Sequence, residues 1–124
     1  MAPKILVVDD EKEIREALIE LLNEEGGFYI VQACCGEEAI GFVSEQRFDV
    51  IVSDLCMSPV DGLSFFAHIE KNKLNTPFIL FSGSEVQLPY MEYPFLEFVK
   101  KPNFSRVVKL IMNQVNYEAS NFGT

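Results

Sequence analysis

Basic residues are scarce in this chain, sulfur is scarcer, and no stretch is long and apolar enough to cross a bilayer. Lys and Arg total 10 against 19 Asp and Glu, a formal net charge of −9. That balance disfavours a direct nucleic-acid surface, because phosphate binding draws mainly on clustered Lys and Arg. Solubility is the simplest use of the excess acid, with basic partners as the other. No window approaches the ~18 consecutive apolar residues of a membrane span. Asp9 and Asp10 interrupt the one apolar stretch near the N-terminus, so nothing there reads as a signal peptide. The three cysteines, Cys34, Cys35 and Cys56, are an odd number without C-x-x-C spacing, against zinc or dithiol redox chemistry. Adjacent Cys34 and Cys35 are poorly placed to bridge each other. All three read as reduced, small apolar side chains of a cytoplasmic protein. Repeats, linkers and low-complexity segments are missing as well.

What is present is a 124-residue chain, 48% apolar, which suits one domain with a single core. Five short apolar runs alternate with amphipathic stretches. Residues 4–8, 28–34, 48–53, 77–81 and 95–99 read as strands. A first helix opens at Asp10 or Glu11 and carries Ile14, Ala17, Leu18, Leu21 and Leu22 on one stripe to about Glu25, where Gly26-Gly27 stops it. A second runs from Gly36 to near Gln46. A third begins at Asp61 or Gly62 and ends near Asn72, with Leu63, Phe66, Ala67 and Ile69 as core candidates. The last is capped by Asn103, turns Phe104, Val107, Val108, Ile111 and Val115 inward, and gives way to a frayed tail from about Glu118. This alternation predicts an α/β fold, a doubly wound five-stranded parallel sheet in the order 2-1-3-4-5, flavodoxin-like in topology. Between Ser84 and Pro94 the two prolines leave room for a turn or two of helix, so the fourth helix is expected to be shortened. Its apolar residues are expected to fold back over the sheet as a mobile segment carrying a non-standard output surface. Without such cover Phe78, Leu80 and Phe95 would be exposed.

Four of the strands end in polar groups. Val7-Val8 runs into Asp9-Asp10, Val52-Ser53 into Asp54, Leu80-Phe81 into Ser82-Gly83, and Phe98-Val99 into Lys100-Lys101-Pro102. In the 2-1-3-4-5 order the first and third strands flank the switch point, which brings Asp9, Asp10 and Asp54 to one crevice. Two such charges ~4 Å apart repel by about 4 kcal/mol at an effective dielectric of 20. A hard divalent cation resolves the conflict, and Mg²⁺ fits best, since it takes one or two carboxylates, waters and phosphate oxygens. Lys101 adds a compact positive charge, Ser82 a hydroxyl, and Gly83 room for a tetrahedral group. Such a cluster suits a phosphoryl group held on one carboxylate as an acyl phosphate.

The ordered set of motifs resembles the receiver domains of two-component response regulators over nearly the whole length. It is carried by Val7-Val8-Asp9-Asp10-Glu11, Gly36-Glu37-Glu38-Ala39, Phe48 through Met57 with Asp61-Gly62-Leu63 following, Ser82-Gly83, and Phe98-Val99-Lys100-Lys101-Pro102. The resemblance implies one receiver domain across residues 1–124, with an ordered core from about 3 to 117. It implies a phosphorylation-controlled signalling module, loaded by a histidine kinase or phosphotransfer protein and read by an effector protein or output domain. Such a module assists its own phosphorylation and dephosphorylation and is not a turnover enzyme. By the same resemblance Asp54 is the phosphoacceptor and Asp10 binds Mg²⁺ directly. Asp9 acts through water, Cys56 lends its backbone carbonyl, and Lys101 holds a phosphoryl oxygen. Ser82 closes on the phosphate while Phe98 turns inward behind it. Lys101 is preferred to Lys100 because Pro102 follows it and Phe98 stands three residues before.

Two departures stand out. Ser58-Pro59 occupies a place where the family usually has Pro first, and the interval from Ser82 to Phe98 is about three residues shorter than usual. The lone His68 is no candidate phosphodonor, and a surface or partly buried role is expected. The main competing reading is a non-phosphorylated pseudo-receiver acting as a protein-interaction module, which the full acidic set with Lys101 argues against. Phosphohydrolases that work through an aspartyl phosphate want a second Asp where Cys56 stands. A flavodoxin would place flavin phosphate against Asp9-Asp10-Glu11, which would repel it.

Overall fold

The computed structural model describes residues 2–55, 61–72, 75–83 and 95–122, with side chains in the last stretch as far as Asn116. Strands β1 (Lys4–Val8), β2 (Tyr29–Ala33), β3 (Val50–Ser53), β4 (Phe78–Ser82) and β5 (Leu96–Lys100) form one sheet in the order β2-β1-β3-β4-β5. Every neighbouring pair is parallel, as the alternation of strand and helix requires. Helices α1 (Lys12–Glu25), α2 (Gly36–Glu45), α3 (Gly62–Lys71) and α4 (Phe104–Phe122) cover both faces.

The strand period of two divides the core cleanly. Leu6, Val8, Ile51, Phe78 and Leu80 face α2 and α3, where they meet Ala39, Val43, Phe65, Phe66 and Ile69. Ile5, Val7, Val50, Val52, Ile79, Phe81 and Val99 face α1 and α4, where they meet Leu18, Leu22, Val107, Ile111 and Val115. β1, β3 and β4 are therefore apolar on both sides, which explains why they read as continuous hydrophobic runs. Phe78 packs edge-on against Phe65 and Phe66, with ring centroids 5.4 and 5.2 Å apart. Each such ring contributes about 1.5–3 kcal/mol by burial, so the strands that carry the polar ends are anchored from below. Phe78 and Leu80 are buried, while Phe95 stays 40% exposed.

The helix boundaries follow local chemistry. Asp61 caps α3 by accepting from the Ser64 amide at 2.8 Å, and Asn103 accepts from the Arg106 amide at 3.2 Å at the start of α4. α1 ends on Gly26 and Gly27 at φ 78° and 83°, a region glycine enters without a Cβ penalty. Cys34 and Cys35 carry free thiols, and the charge of Glu38 pushes the Cys34 thiol above its ordinary pKa, against reactivity.

Five expectations need correction or fall elsewhere. The buried stripe of α3 is Gly62, Phe65, Phe66 and Ile69, spaced i, i+3, i+4, i+7, so Phe65 belongs to the core and Ala67 lies exposed on the far side. α4 runs through Phe122, past the Glu118 from which a frayed tail was expected, and the sequence offers no glycine or proline before Gly123. The shortened fourth helix, the folded-back segment of residues 84–94 and the loop at Ser58-Pro59 lie outside the described residues. Among the described residues no helix is long and apolar enough to cross a membrane.

Candidate functional site

Three of the four sheet ladders, β1–β2, β1–β3 and β4–β5, continue one residue past the strand, and this draws the polar ends together. The Asp9 amide donates to the Ala33 carbonyl at 3.1 Å and the Asp54 amide to the Val8 carbonyl at 2.9 Å. On the other flank the Lys101 amide donates to the Ser82 carbonyl at 2.8 Å. Asp9, Asp54 and Ser82 are buried, Lys101 is half-buried and Asp10 is exposed. One carboxylate oxygen from each of Asp9, Asp10 and Asp54 lies within 4.8 Å of the others.

Lys101 closes this cluster. Its Nζ donates to Asp9 Oδ2 at 2.8 Å and lies 3.5 Å from Asp54 Oδ1 and 4.0 Å from Glu11 Oε1. Lys100, the other lysine of the pair, is exposed. Burial pushes the Asp9 carboxyl above its ordinary pKa; the Lys101 and Glu11 hydrogen bonds pull it back, and the Asp54 charge pushes it further up. Burial alone would lower the Lys101 ammonium, but the Asp9 bond and the charges of Asp9, Asp54 and Glu11 outweigh it and hold it above its ordinary value.

The donor set fits a hard divalent cation. It offers three carboxylates of one site, two of them buried, and among the described residues no cysteine or histidine joins them. Asp9 is the most committed of the three, since its Oδ1 also accepts from the Glu11 amide at 2.9 Å. Asp10 is left open to solvent at the rim. Cys56, expected to lend a carbonyl, lies outside the described residues.

The C-terminal end of β3 is held by bonds to its backbone carbonyls. Ser53 Oγ donates to the Asp54 carbonyl at 2.9 Å, and the Gly62 amide donates to the Leu55 carbonyl at 2.9 Å. A Cβ on Gly62 would collide with that Asp54 carbonyl oxygen, so glycine here is a matter of space. Around Gly83 the space is open, and a Cβ would meet nothing within 4 Å. Phe98 is half-buried against the core shared with α2 and α3, and pairs in register with Leu80. His68 is half-buried near the end of α3 with Asn72 as its neighbour, away from the acidic cluster.

Sequence reasoning missed two contributors. Arg15 donates from Nη1 to the Asp9 carbonyl at 2.6 Å and from Nε to Gln32 Oε1 at 3.1 Å. Glu11 stands at the edge of the Lys101 contact. The signal for Arg15 was its spacing, four residues beyond Glu11, which returns its side chain to the strand end one helical turn later.

Comparison with known proteins places the chain in a family. Residues 5–112 match the family described as the response regulator receiver domain. A protein-glutamate methylesterase/protein-glutamine glutaminase of Rhodospirillum rubrum is 32% identical over 94% of this chain, which spans 34% of that protein. The chain thus covers about a third of the curated relatives it matches. The receiver domain of Francisella response regulator 1452 is 28% identical with a TM-score of 0.82, over 94% of this chain and 98% of that one. Thermotoga maritima response regulator TrrA, solved in complex with Mg²⁺-BeF, is 32% identical with a TM-score of 0.78, over 90% of this chain and 98% of that one. With its sheet order and its acidic strand ends, this chain belongs to the response regulator receiver domain family of two-component signalling.

Proposed function

We propose that the domain is a phosphorylation-controlled switch in which Asp54 accepts a phosphoryl group from a phosphohistidine on a histidine kinase or phosphotransfer protein. The observation that carries this reading is the placement of Asp54. It ends the central strand, is 5% exposed, and lies 3.5 Å from an ammonium and within 4.8 Å of two further carboxylates. An Asp54 oxygen attacks phosphorus, the phosphorus–nitrogen bond to the donor histidine breaks, and the imidazole keeps the electron pair and takes up a proton. The product is an acyl phosphate on Asp54.

Mg²⁺ would be held by Asp9, Asp10 and Asp54 with the Cys56 carbonyl, and would supply charge neutralisation for the transferring oxygens. Asp10 would contact it directly and Asp9 would act through water. Support comes from the three clustered carboxylates and from the Mg²⁺-BeF complex of the Thermotoga relative. Lys101 turns its ammonium from Asp9 and Asp54 toward a phosphoryl oxygen. Ser82, buried at the end of β4, engages another oxygen, and Phe98 turns inward behind it, biasing a two-state surface. An effector protein or output domain reads that surface in the cytoplasm. The domain assists its own loading and unloading without turning over a separate substrate.

Intact mass after incubation with acetyl phosphate and Mg²⁺ tests the reading. The parent chain gains one phosphoryl group and Asp54→Asn gains none. Equal labelling of the variant removes Asp54 from the role, and an unlabelled parent favours the interaction-only pseudo-receiver.

A further inference from the structure

Asp10 is exposed and sits at the rim of a cluster whose other members are buried, yet its carboxylate stays within reach of theirs. Something must aim it. The two peptide groups that flank Asp10 are both tied down. The carbonyl of Asp9 accepts from Arg15 Nη1 at 2.6 Å, and the amide of Glu11 donates to Asp9 Oδ1 at 2.9 Å. Fixing both peptide planes fixes the direction in which the Asp10 side chain leaves the backbone. Arg15 is itself braced, because its Nε donates to Gln32 Oε1 at 3.1 Å on β2, the strand paired with β1. Its planar fork makes both bonds at once, which an ammonium could not reproduce.

We infer that Arg15, braced by Gln32, is a positioning residue that aims Asp10 into the cation site through the Asp9 carbonyl. The inference rests on the proposed role of Asp9, Asp10 and Asp54 as a divalent-cation site. It makes a prediction opposite in sign to simple electrostatics. Removing a cation beside three carboxylates should by charge alone tighten cation binding. Removing a brace should loosen it, as happens when groups that hold metal ligands in place are lost.

The test is Mn²⁺ binding to the whole chain, read by water-proton relaxation, beside amide exchange of Glu11 measured without metal. Arg15→Ala should weaken Mn²⁺ binding roughly tenfold, the low end for losing such a support. Glu11 exchange should quicken in the same variant. Arg15→Lys keeps the charge and one bond, and should recover part of the affinity. Gln32→Ala should lose less than Arg15→Ala, and the double variant no more than Arg15→Ala, because Gln32 acts only through Arg15. Unchanged or tighter Mn²⁺ binding in Arg15→Ala, with Glu11 exchange unaltered, overturns the inference. Failure of the parent to bind Mn²⁺ overturns the cation-site reading instead, and Glu11 exchange then decides the brace by itself.

Discussion

Gly62→Ala is a single methyl group placed against the backbone of the proposed phosphoacceptor. Gly62 opens α3 directly after its cap, and its amide donates to the Leu55 carbonyl at 2.9 Å. A Cβ there would collide with the Asp54 carbonyl oxygen and stand 3.0 Å from both Leu55 Cα and Leu80 Cδ2. Two of those three atoms are backbone, and the third belongs to a fully buried leucine. None is the free end of a flexible side chain, so α3 or the Asp54–Leu55 peptide must shift. Overpacking of this kind costs about 1–3 kcal/mol. For a domain of this size that is roughly 3–15 °C in Tm. A displacement of ~1 Å at a reacting group costs on the order of 10²-fold in rate. Phosphorylation by acetyl phosphate should therefore fall at least about tenfold, more than the stability loss alone explains at temperatures where the variant remains folded. Gly41→Ala is the matched control. Gly41 is exposed in the middle of α2, a Cβ there meets nothing within 4 Å, and helix propensity should raise stability by about 0.5–1 kcal/mol. Thermal unfolding and time-resolved intact mass on the three proteins decide the matter. A Gly62→Ala protein as stable and as quickly phosphorylated as the parent would refute the reasoning.

Calorimetric titration with Mg²⁺ should find Asp10→Ala more damaging than Asp9→Ala, since Asp9 is already engaged by Lys101 and Glu11; equal losses would contradict the assignment of direct contact. Ser82→Ala should leave phosphorylation largely intact but blunt the amide-exchange changes that follow it, and identical changes in both proteins would count against Ser82 as a switch. The Lys101 ammonium is held above its ordinary pKa, so its contribution to stability is full below the ordinary lysine value and is lost as the pH rises through the folded one. Urea unfolding across alkaline pH should show that loss in the parent and its removal in Lys101→Met, and parallel curves would exclude it.

Why so much of this fold is legible in its sequence is a matter of periodicity. β1, β3 and β4 are buried on both faces, so their residues carry no alternation and stand out as uninterrupted runs ending in Asp, Asp and Ser. The strand order then follows from parallel pairing and right-handed crossovers, and it carries Asp9, Asp10 and Asp54 to one place without any knowledge of contacts. What escaped was of two kinds. The stripe of α3 was read from Leu63 when its phase starts at Gly62, because a glycine gives no hydrophobic signal; its burial comes from the close approach to Asp54. Arg15 and Gln32 escaped because their bonds join a helix to a strand end and a neighbouring strand, and hydropathy carries no trace of a side chain reaching a backbone carbonyl.

The three carboxylates are not equivalent, and the inequality bears on which of them can react. Lys101 stands 2.8 Å from Asp9 but 3.5 Å from Asp54, so among the described residues the one short bond that this ammonium makes to a carboxylate goes to Asp9. Asp9 also spends its other oxygen on the Glu11 amide and its own amide on Ala33. A carboxylate bound in this way is a poor nucleophile, because attack would require breaking bonds to a cation and to the backbone. In the proposed chemistry it holds Lys101 within reach and adds negative charge beside the cation. Asp54 is tied through its backbone, by its amide to Val8 and its carbonyl to Ser53 Oγ, which fixes the position of the side chain, and among the described residues its oxygens have only the longer 3.5 Å contact with Lys101. Asp10 is fixed by the peptides on either side of it and keeps its carboxylate at the rim. The backbone thus immobilises all three residues while a side-chain partner saturates one of them. An acid that must attack phosphorus needs a fixed origin and a free lone pair, and in this crevice Asp54 meets both conditions more fully than Asp9, which is why the proposed chemistry places the acyl phosphate on the end of β3.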